Sequence, residues 1–313
     1  MDENRRQFLK TMGVVAASAG LAALPKSANA SAESFSGYPD RYGVLVDTTL
    51  CIGLNCRRCE IACAKENNLP PIDKPPEDAS VFEHERRTDA QTFMVVNRFE
   101  NPDPQLPPIY VKKQCMHCDE PACASACLVR AFTKTPEGAV MYDPSVCIGC
   151  RYCMVACPFN IPAYEYSEPL HPRVRKCTLC FASRLKDGRR PACVEACPRE
   201  VMTFGKRSEL IDFARQKIAA HPDRYVNHVY GEHEAGGTCY MYLASVPFDQ
   251  IGMRTDLGDT PYPELTRSYL SAAPLVMALW PLFFTGLFMF SKRRDASDHE
   301  QQKDHEQSGE ERR

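Results

Sequence analysis

Sixteen of the 17 cysteines in this chain fall into four groups of four, and no other feature limits the fold as strongly. The groups are Cys51, Cys56, Cys59 and Cys63; Cys115, Cys118, Cys123 and Cys127; Cys147, Cys150, Cys153 and Cys157; and Cys177, Cys180, Cys193 and Cys197. Only Cys239 stands apart. With 313 residues the chain is long enough to bury a core, so it has no need of a disulfide scaffold. Disulfides also leave a repeated short spacing unexplained. The cysteines therefore point to metal.

The third group reads C-x2-C-x2-C-x3-C-P, the bacterial run for a 4Fe–4S cluster. A short loop wraps three thiolates around one face of a cubane. The fourth cysteine, on a helical turn, points away toward a neighbouring cluster. Pro158 and Pro198 follow the last cysteines of groups three and four and are expected to stop that turn. Zinc is the chemical rival, but its sites use C-x2-C pairs with a longer spacer. Three close ligands and one diverging ligand do not close a tetrahedron.

An internal repeat surrounds the motifs. The stretch from Val44 to Gly53 aligns with that from Val140 to Gly149: a short apolar strand, a turn, then a cysteine loop. Return strands are expected at Ala131–Thr133 and Val201–Phe204, with Gly138 in the turn before Val140. Group one departs from the pattern, with four residues between Cys51 and Cys56, so its loop must bulge near Gly53 and Asn55. The strand leading into Cys51 still matches the repeat, which favours Cys51 as a ligand. Residues 64–110 form a proline-rich insertion, either a docking arm or a surface loop. Arg173, Arg175 and Lys176 either offset cluster charge or form a solvated face. His117 reads as a polar group near cluster sulfur, and Cys239, in an alternating segment, as a buried thiol.

Both ends carry addresses. Arg5-Arg6-Gln7-Phe8-Leu9-Lys10, an apolar run to Leu24 and Ala28-Asn29-Ala30 have the order of an export signal. The paired arginines make it resemble a twin-arginine signal, whose route carries folded proteins. Near the other end, Leu270 to Phe290 holds 21 residues without a charge, enough for a bilayer-spanning helix. Lys292-Arg293-Arg294 follows and would stay cytoplasmic, leaving the cysteine-rich body outside. The polar segment after it is expected to be disordered.

Several chemistries are excluded. A net charge of −2 gives no basic field for nucleic acid. There is no C-x-x-C-H for covalent haem and no Gly-rich phosphate loop after a strand. No acid–base or nucleophile constellation accompanies the cysteines, so they read as an electron conduit.

Residues 41–205 resemble the four-cluster ferredoxin subunits of bacterial molybdoenzymes, hydrogenases and cytochrome complexes. The closer likeness is to the membrane-anchored iron–sulfur subunit of the high-molecular-weight cytochrome complex, with the uptake-hydrogenase subunit beside it. It is carried by Gln114-Cys115-Met116-His117-Cys118, by the run from Cys147 to Phe159 and by Gly236-Gly237-Thr238. The resemblance implies an α+β fold: a duplicated bacterial-type ferredoxin-like cluster domain with insertions, plus one C-terminal transmembrane helix. It implies a twin-arginine signal at 1–30, the cluster domain at 31–210 and a partner-contacting extension at 211–268. A transmembrane helix at 269–291 and a cytoplasmic tail at 292–313 would complete the chain.

It also implies four 4Fe–4S clusters with crossed ligands. Cys51, Cys56 and Cys59 with Cys197 would hold one; Cys177, Cys180 and Cys193 with Cys63 the second. Cys115, Cys118 and Cys123 with Cys157 would hold the third; Cys147, Cys150 and Cys153 with Cys127 the fourth. The expected role is single-electron relay in an anaerobic respiratory complex, on the periplasmic side of the inner membrane. The implied partners are an integral membrane quinone-reactive subunit and a periplasmic multihaem cytochrome. A periplasmic hydrogenase or a formate-dehydrogenase-like molybdoenzyme is the alternative periplasmic partner.

Overall fold

The computed structural model describes residues 38–310, so the export signal read at residues 1–30 lies outside the described residues. In chain order the strands are β1 (Tyr42–Asp47), β2 (Met94–Phe99), β3 (Ile109–Gln114), β4 (Phe132–Lys134), β5 (Val140–Tyr142), β6 (Ala163–Tyr164), β7 (Val174–Arg175), β8 (Met202–Lys206) and β9 (Tyr240–Leu243). The helices are α1 (Arg58–Glu66), α2 (Ala122–Ser125), α3 (Tyr152–Ala156), α4 (Ala192–Glu195), α5 (Arg207–Ala220) and α6 (Tyr262–Glu310).

β1 is the middle strand of a three-stranded sheet. It runs antiparallel to β8, with Val46 opposite Met202, and parallel to β9, with Val44 opposite Tyr240. Its residues are apolar on both faces because both faces are covered. On one face Leu45, Met241 and Leu243 pack against Leu210, Ala214 and Ile218 of α5. On the other, Val44, Val46, Tyr240 and Tyr242 join a core that includes Cys63, Cys177 and Cys193. Each buried aliphatic side chain here contributes about 1.5–3 kcal/mol, so the sheet is a stable wall for the cysteines to be mounted on.

The duplication read from the sequence is visible in the strand pairing. β4 and β5 form an antiparallel hairpin, with Phe132 opposite Tyr142. Its turn places Gly138 at φ +105°, where a Cβ would lie 2.8 Å from the Tyr42 carbonyl. β1 and β8 make the equivalent pair. In each pair, one strand feeds a cysteine loop and its partner returns from a different cysteine group. That crossing of strands carries the fourth cysteine of one group to the loop of another.

Three segments differ from the sequence-based expectation. Residues 64–110 are more than a loop: their end forms β2, paired with β3 from Met94↔Gln114 to Phe99↔Ile109. Residues 211–268, expected as a partner-contacting extension, are folded into the domain. β9 is fully buried in the central sheet, and burial continues to Leu257. The pattern is apolar on both sides because β9 lies between α5 and the cysteine core. Third, the C-terminal helix starts earlier than the uncharged run and continues through the polar segment to Glu310. That segment is rich in Glu, Gln, Lys and Asp, and the first three are good helix formers. Among the described residues, one helical stretch, Tyr262–Arg294, is long and apolar enough to cross a membrane, and its apolar window is not buried against the rest of the domain. Pro274 and Pro281 lie inside it.

Candidate metal centres

The four cysteine loops share one backbone device. In group three, Gly149 and Arg151 take positive φ (71° and 61°) on either side of Cys150. In group one the same places are held by Gly53 and Arg57 (52° and 39°) around Cys56. Alternating left- and right-handed residues turn successive N–H groups inward and make an anion-binding concavity. Gly53 has no substitute, since a Cβ there would meet the Tyr110 ring at 1.9 Å. The extra residues of group one are taken up locally. Asn55 adopts φ 62°, the Cys56 N–H donates to the Gly53 carbonyl (3.1 Å), and the Asn55 N–H donates to Pro76 (3.1 Å). Groups two and four use His117 (φ 51°) and Leu179 (φ 55°) in equivalent places.

Each fourth cysteine lies on or just beyond a short helix. α3 and α4 end before Cys157 and Cys197, each of which a proline follows. α2 also ends before Cys127, although Leu128 follows it, so proline is sufficient but not required. α1 has Ala64 after Cys63 and runs on to Glu66.

The structure brings together the sixteen expected cysteines in crossed sets. Cys51 stands within electrostatic reach of Cys197 and Cys56, and one cavity is lined by Cys51, Cys56, Cys59 and Cys197. Cys63 of group one faces Cys177, Cys193 and Cys180. Cys118 faces Cys157, Cys115 and Cys123. Cys153 faces Cys147, Cys127 and Cys150. We number these sets one to four in that order. Neighbouring sets come within electrostatic reach in sequence: Cys59 of Cys193, Cys177 of Cys115, and Cys123 of Cys153. Set two is wholly buried, whereas Cys150 of set four is exposed.

Burial pushes the thiols up: Cys51, Cys153, Cys157 and Cys180 to about 11 and Cys177 to about 12. Burial raises Cys59, Cys63, Cys118 and Cys123 further still. Deprotonated cages of this kind are costly until a metal offsets the charge, so loading them releases protons. Backbone donors already face sulfur: the N–H groups of Ala131, Gly149 and Leu179 reach Cys127 (3.2 Å), Cys147 (3.4 Å) and Cys177 (3.4 Å).

Lys112 Nζ and His117 Nε2 are among the buried donors with no hydrogen-bond partner in the described residues. His117 Nδ1 accepts from the Val140 N–H (2.9 Å), which places the ring proton on Nε2. Burial, with Lys176 and Lys134 nearby, holds this ring well below the usual histidine range and neutral. Among the described residues, no three Cys, His, Asp or Glu side chains converge on a single-ion site. Zinc would draw four sulfurs to about 2.3 Å from one centre. Four-thiol sets that do not close on one ion, inward N–H groups and buried donors without partners fit a sulfide-bearing anionic cluster.

The remaining polar candidates separate by residue. Lys176 is buried, donates to the Val140 and Cys177 carbonyls, and lies near Cys123 and Cys157. Arg175 lies over the Phe93 ring at 5.5 Å. Cys239 is fully buried and outside every set, with Lys134 Nζ and the Gly138 carbonyl each 3.3 Å from its sulfur. Lys112 was not singled out in the sequence. The available signal was its place on the alternating strand Ile109–Gln114, with Tyr110 and Gln114, leading straight into Cys115.

The chain matches the 4Fe-4S dicluster domain family over residues 107–207 and the twin-arginine translocation signal family over residues 4–22. It is 49% identical to a protein of Nitratidesulfovibrio vulgaris, over 96% of this chain and 80% of that one. It is 33% identical to the hydrogenase-2 operon protein HybA of Escherichia coli O157:H7, over 95% of this chain and 97% of HybA. The iron–sulfur subunit of the nitrate-inducible formate dehydrogenase of Escherichia coli K12 is 34% identical, over 66% of this chain and 69% of that subunit.

Proposed function

The chain belongs to the family of ferredoxin-type 4Fe–4S iron–sulfur subunits that includes HybA and the formate dehydrogenase iron–sulfur subunit, and from that premise we propose that its four cysteine sets hold four clusters forming a one-electron relay. The supporting observation is the linear order of the sets. Set one has a cysteine within electrostatic reach of set two, set two of set three, and set three of set four. When bound, such a cluster takes up or gives up one electron without bond-making chemistry. The protein's part is to hold the thiolates, aim N–H donors at sulfur and keep water from the middle of the line.

The chain carries a twin-arginine signal, which directs export to the periplasm. We propose that Tyr262–Arg294 anchors the exported domain in the inner membrane, with the basic Lys292-Arg293-Arg294 on the cytoplasmic side. Electrons then pass between a periplasmic redox partner and a quinone-reactive membrane subunit. A multihaem cytochrome suits the resemblance read in the cysteine motifs. A hydrogenase is favoured by the near full-length relation to HybA.

The test is isolation of the native complex from membranes, with subunit identification and anaerobic iron and sulfide analysis. About sixteen iron atoms per chain are expected for four clusters. Stoichiometric zinc with little sulfide would end the reading. Co-purifying multihaem cytochrome or hydrogenase subunits decide the partner.

A further inference from the structure

Lys112 is the odd cation in this molecule. Three lysines are buried or nearly so beside the cysteine core, and two of them are satisfied by protein oxygens. Lys134 Nζ donates to the carbonyls of His117, Cys118 and Gly138, each at 2.9 Å, and stands 3.7 Å from Asp119. Lys176 donates to two backbone carbonyls. Lys112 is 4% exposed, yet its Nζ has no hydrogen-bond acceptor among the described residues.

What surrounds it is sulfur and aromatic ring. The ammonium lies 4.5 Å from the centroid of the Tyr240 ring. Its side chain lines the cavity of Cys51, Cys56, Cys59 and Cys197. Cys59 of set one and Cys177 and Cys193 of set two are its electrostatic neighbours, along with the Tyr242 hydroxyl. Glu60 is close to Cys59 but already takes Arg57, Arg86 and the Val96 N–H. Burying an ammonium without a partner is costly, and a ring face offsets only part of that cost. The structure supplies no protein anion for this cation, and the two anionic groups it faces would be the clusters of sets one and two.

We infer that the Lys112 ammonium is a built-in counter-charge for the first two cluster sites, raising both reduction potentials and biasing electrons toward that half of the relay. Each reduction adds one electron, and so one negative charge, to a cluster already ringed by four thiolates. A fixed positive charge stabilises the reduced form over the oxidised form by Coulomb attraction, which is strong where water is excluded. The cysteines of sets three and four are not among the strongest electrostatic neighbours of Lys112, although its charge reaches His117 in the loop of set three. The effect is therefore greatest at two of four sites. This rests on the reading that the sets hold clusters, and the test separates the two.

The experiment uses the full chain, prepared anaerobically as wild type, Lys112→Met, Lys112→Gln and Lys112→Arg. Iron and sulfide are counted first, and reduction by dithionite is then followed by electron paramagnetic resonance against poised potential. In Lys112→Met and Lys112→Gln, two of the four reduction steps should move down by about tenfold or more in equilibrium constant, 59 mV per decade for one electron. The other two steps should move much less, and Lys112→Arg should keep all four. A loaded Lys112→Met with four unmoved potentials overturns the inference and leaves the relay reading intact. Wild type without iron overturns both. Iron lost from both neutral variants but kept by Lys112→Arg would support the counter-charge role at assembly. Iron lost from all three variants would make Lys112 a packing residue and overturn it.

Discussion

Glu60 offers the sharpest test of how the cysteine sets are held. Its carboxylate is 1% exposed and takes five donors: Arg57 Nε (3.0 Å) and Nη2 (2.6 Å), Arg86 Nη1 (3.3 Å) and Nη2 (2.6 Å), and the Val96 N–H (2.7 Å). It lies on α1 between Cys59 of set one and Cys63 of set two, and it ties that helix to β2. Glu60→Ala would leave the buried Arg57 guanidinium unpaired and the Val96 N–H unsatisfied. Breaking one partner of a buried pair costs about 3–5 kcal/mol. At 1.4 kcal/mol per decade, local opening of α1 should rise at least about a hundredfold. By contrast, Glu100 pairs with Arg98 at 2.9 Å but is 78% exposed, so Glu100→Ala should cost under about 1 kcal/mol. The assay is anaerobic iron release to a ferrous chelator, followed by visible absorbance. Glu60→Ala should bleach in two phases, half the iron fast and half at the wild-type rate, because α1 serves only sets one and two. Glu100→Ala should follow wild type throughout. A single phase at the wild-type rate in Glu60→Ala, or equal loss from all four sites, would refute the reasoning.

Other outcomes follow from the same geometry. Cys157→Ser should perturb the same electron paramagnetic resonance signal as Cys115→Ser, and Cys127→Ser the same signal as Cys147→Ser; tracking by sequence group instead would refute the crossed sets. Asp47 is buried, which alone would raise its carboxyl, but hydrogen bonds from Lys217, Thr49 and Tyr225 outweigh this and lower it below the ordinary 3.8. Its contribution to stability, about 1–3 kcal/mol, is full above that ordinary value and lost as pH falls through the lower folded value. The urea resistance of wild type should thus exceed that of Asp47→Asn at pH 7, and the gap should close below about pH 4. Replacing Arg5 and Arg6 by lysine should leave precursor in the cytoplasm, seen by fractionation. A reporter fused after Arg313 should be active only in the cytoplasm; periplasmic activity would reverse the proposed orientation.

Much of the site was legible because cysteine spacing is local. Once Cys150 and Cys153 are fixed in number along the chain, the loop between them has few ways to fold around a metal group. The strand repeat at Val44 and Val140 was legible for the same reason, and β1 and β5 stand where the alignment puts them. What stayed hidden was non-local. Tyr240, Met241 and Tyr242 read as an alternating strand, but nothing in that segment says it pairs in parallel with β1, nearly 200 residues earlier. Lys112 was not singled out in the sequence, where it stands beside Lys113. Only the burial of β3 against the central sheet and set one separates it from Lys113, which pairs with the partly exposed Glu85. Small metallodomains draw much of their folding free energy from the metal. The packed sheet around β1, with α5 on one face, adds a protein core of its own at the set-one end.

The two ends of the relay differ in surface chemistry, and that difference bears on direction. Around exposed Cys150 the apolar side chains of Leu128 (82%), Val155 (79%), Ile148 (63%), Tyr152 (55%) and Val146 (45%) stand in solvent. Isolated exposed apolar residues need no explanation, but a collar around one thiol has the character of a covered face. The start of α6 lies at the same end. It packs against α2, the helix that carries Cys123, and Arg254 donates to the Pro158 carbonyl (3.0 Å) beside Cys157. On the proposed topology, the root of the membrane helix would place sets three and four nearest the bilayer. Set one, mounted on β1 and α1, would then face the periplasm. A membrane subunit would cover the collar at set four, and a soluble partner would meet set one near Ile52. Lys112 belongs to the set-one half of that line. A counter-charge there favours holding an electron where the soluble partner docks, and the membrane end, without one, is left to be set by its covering subunit.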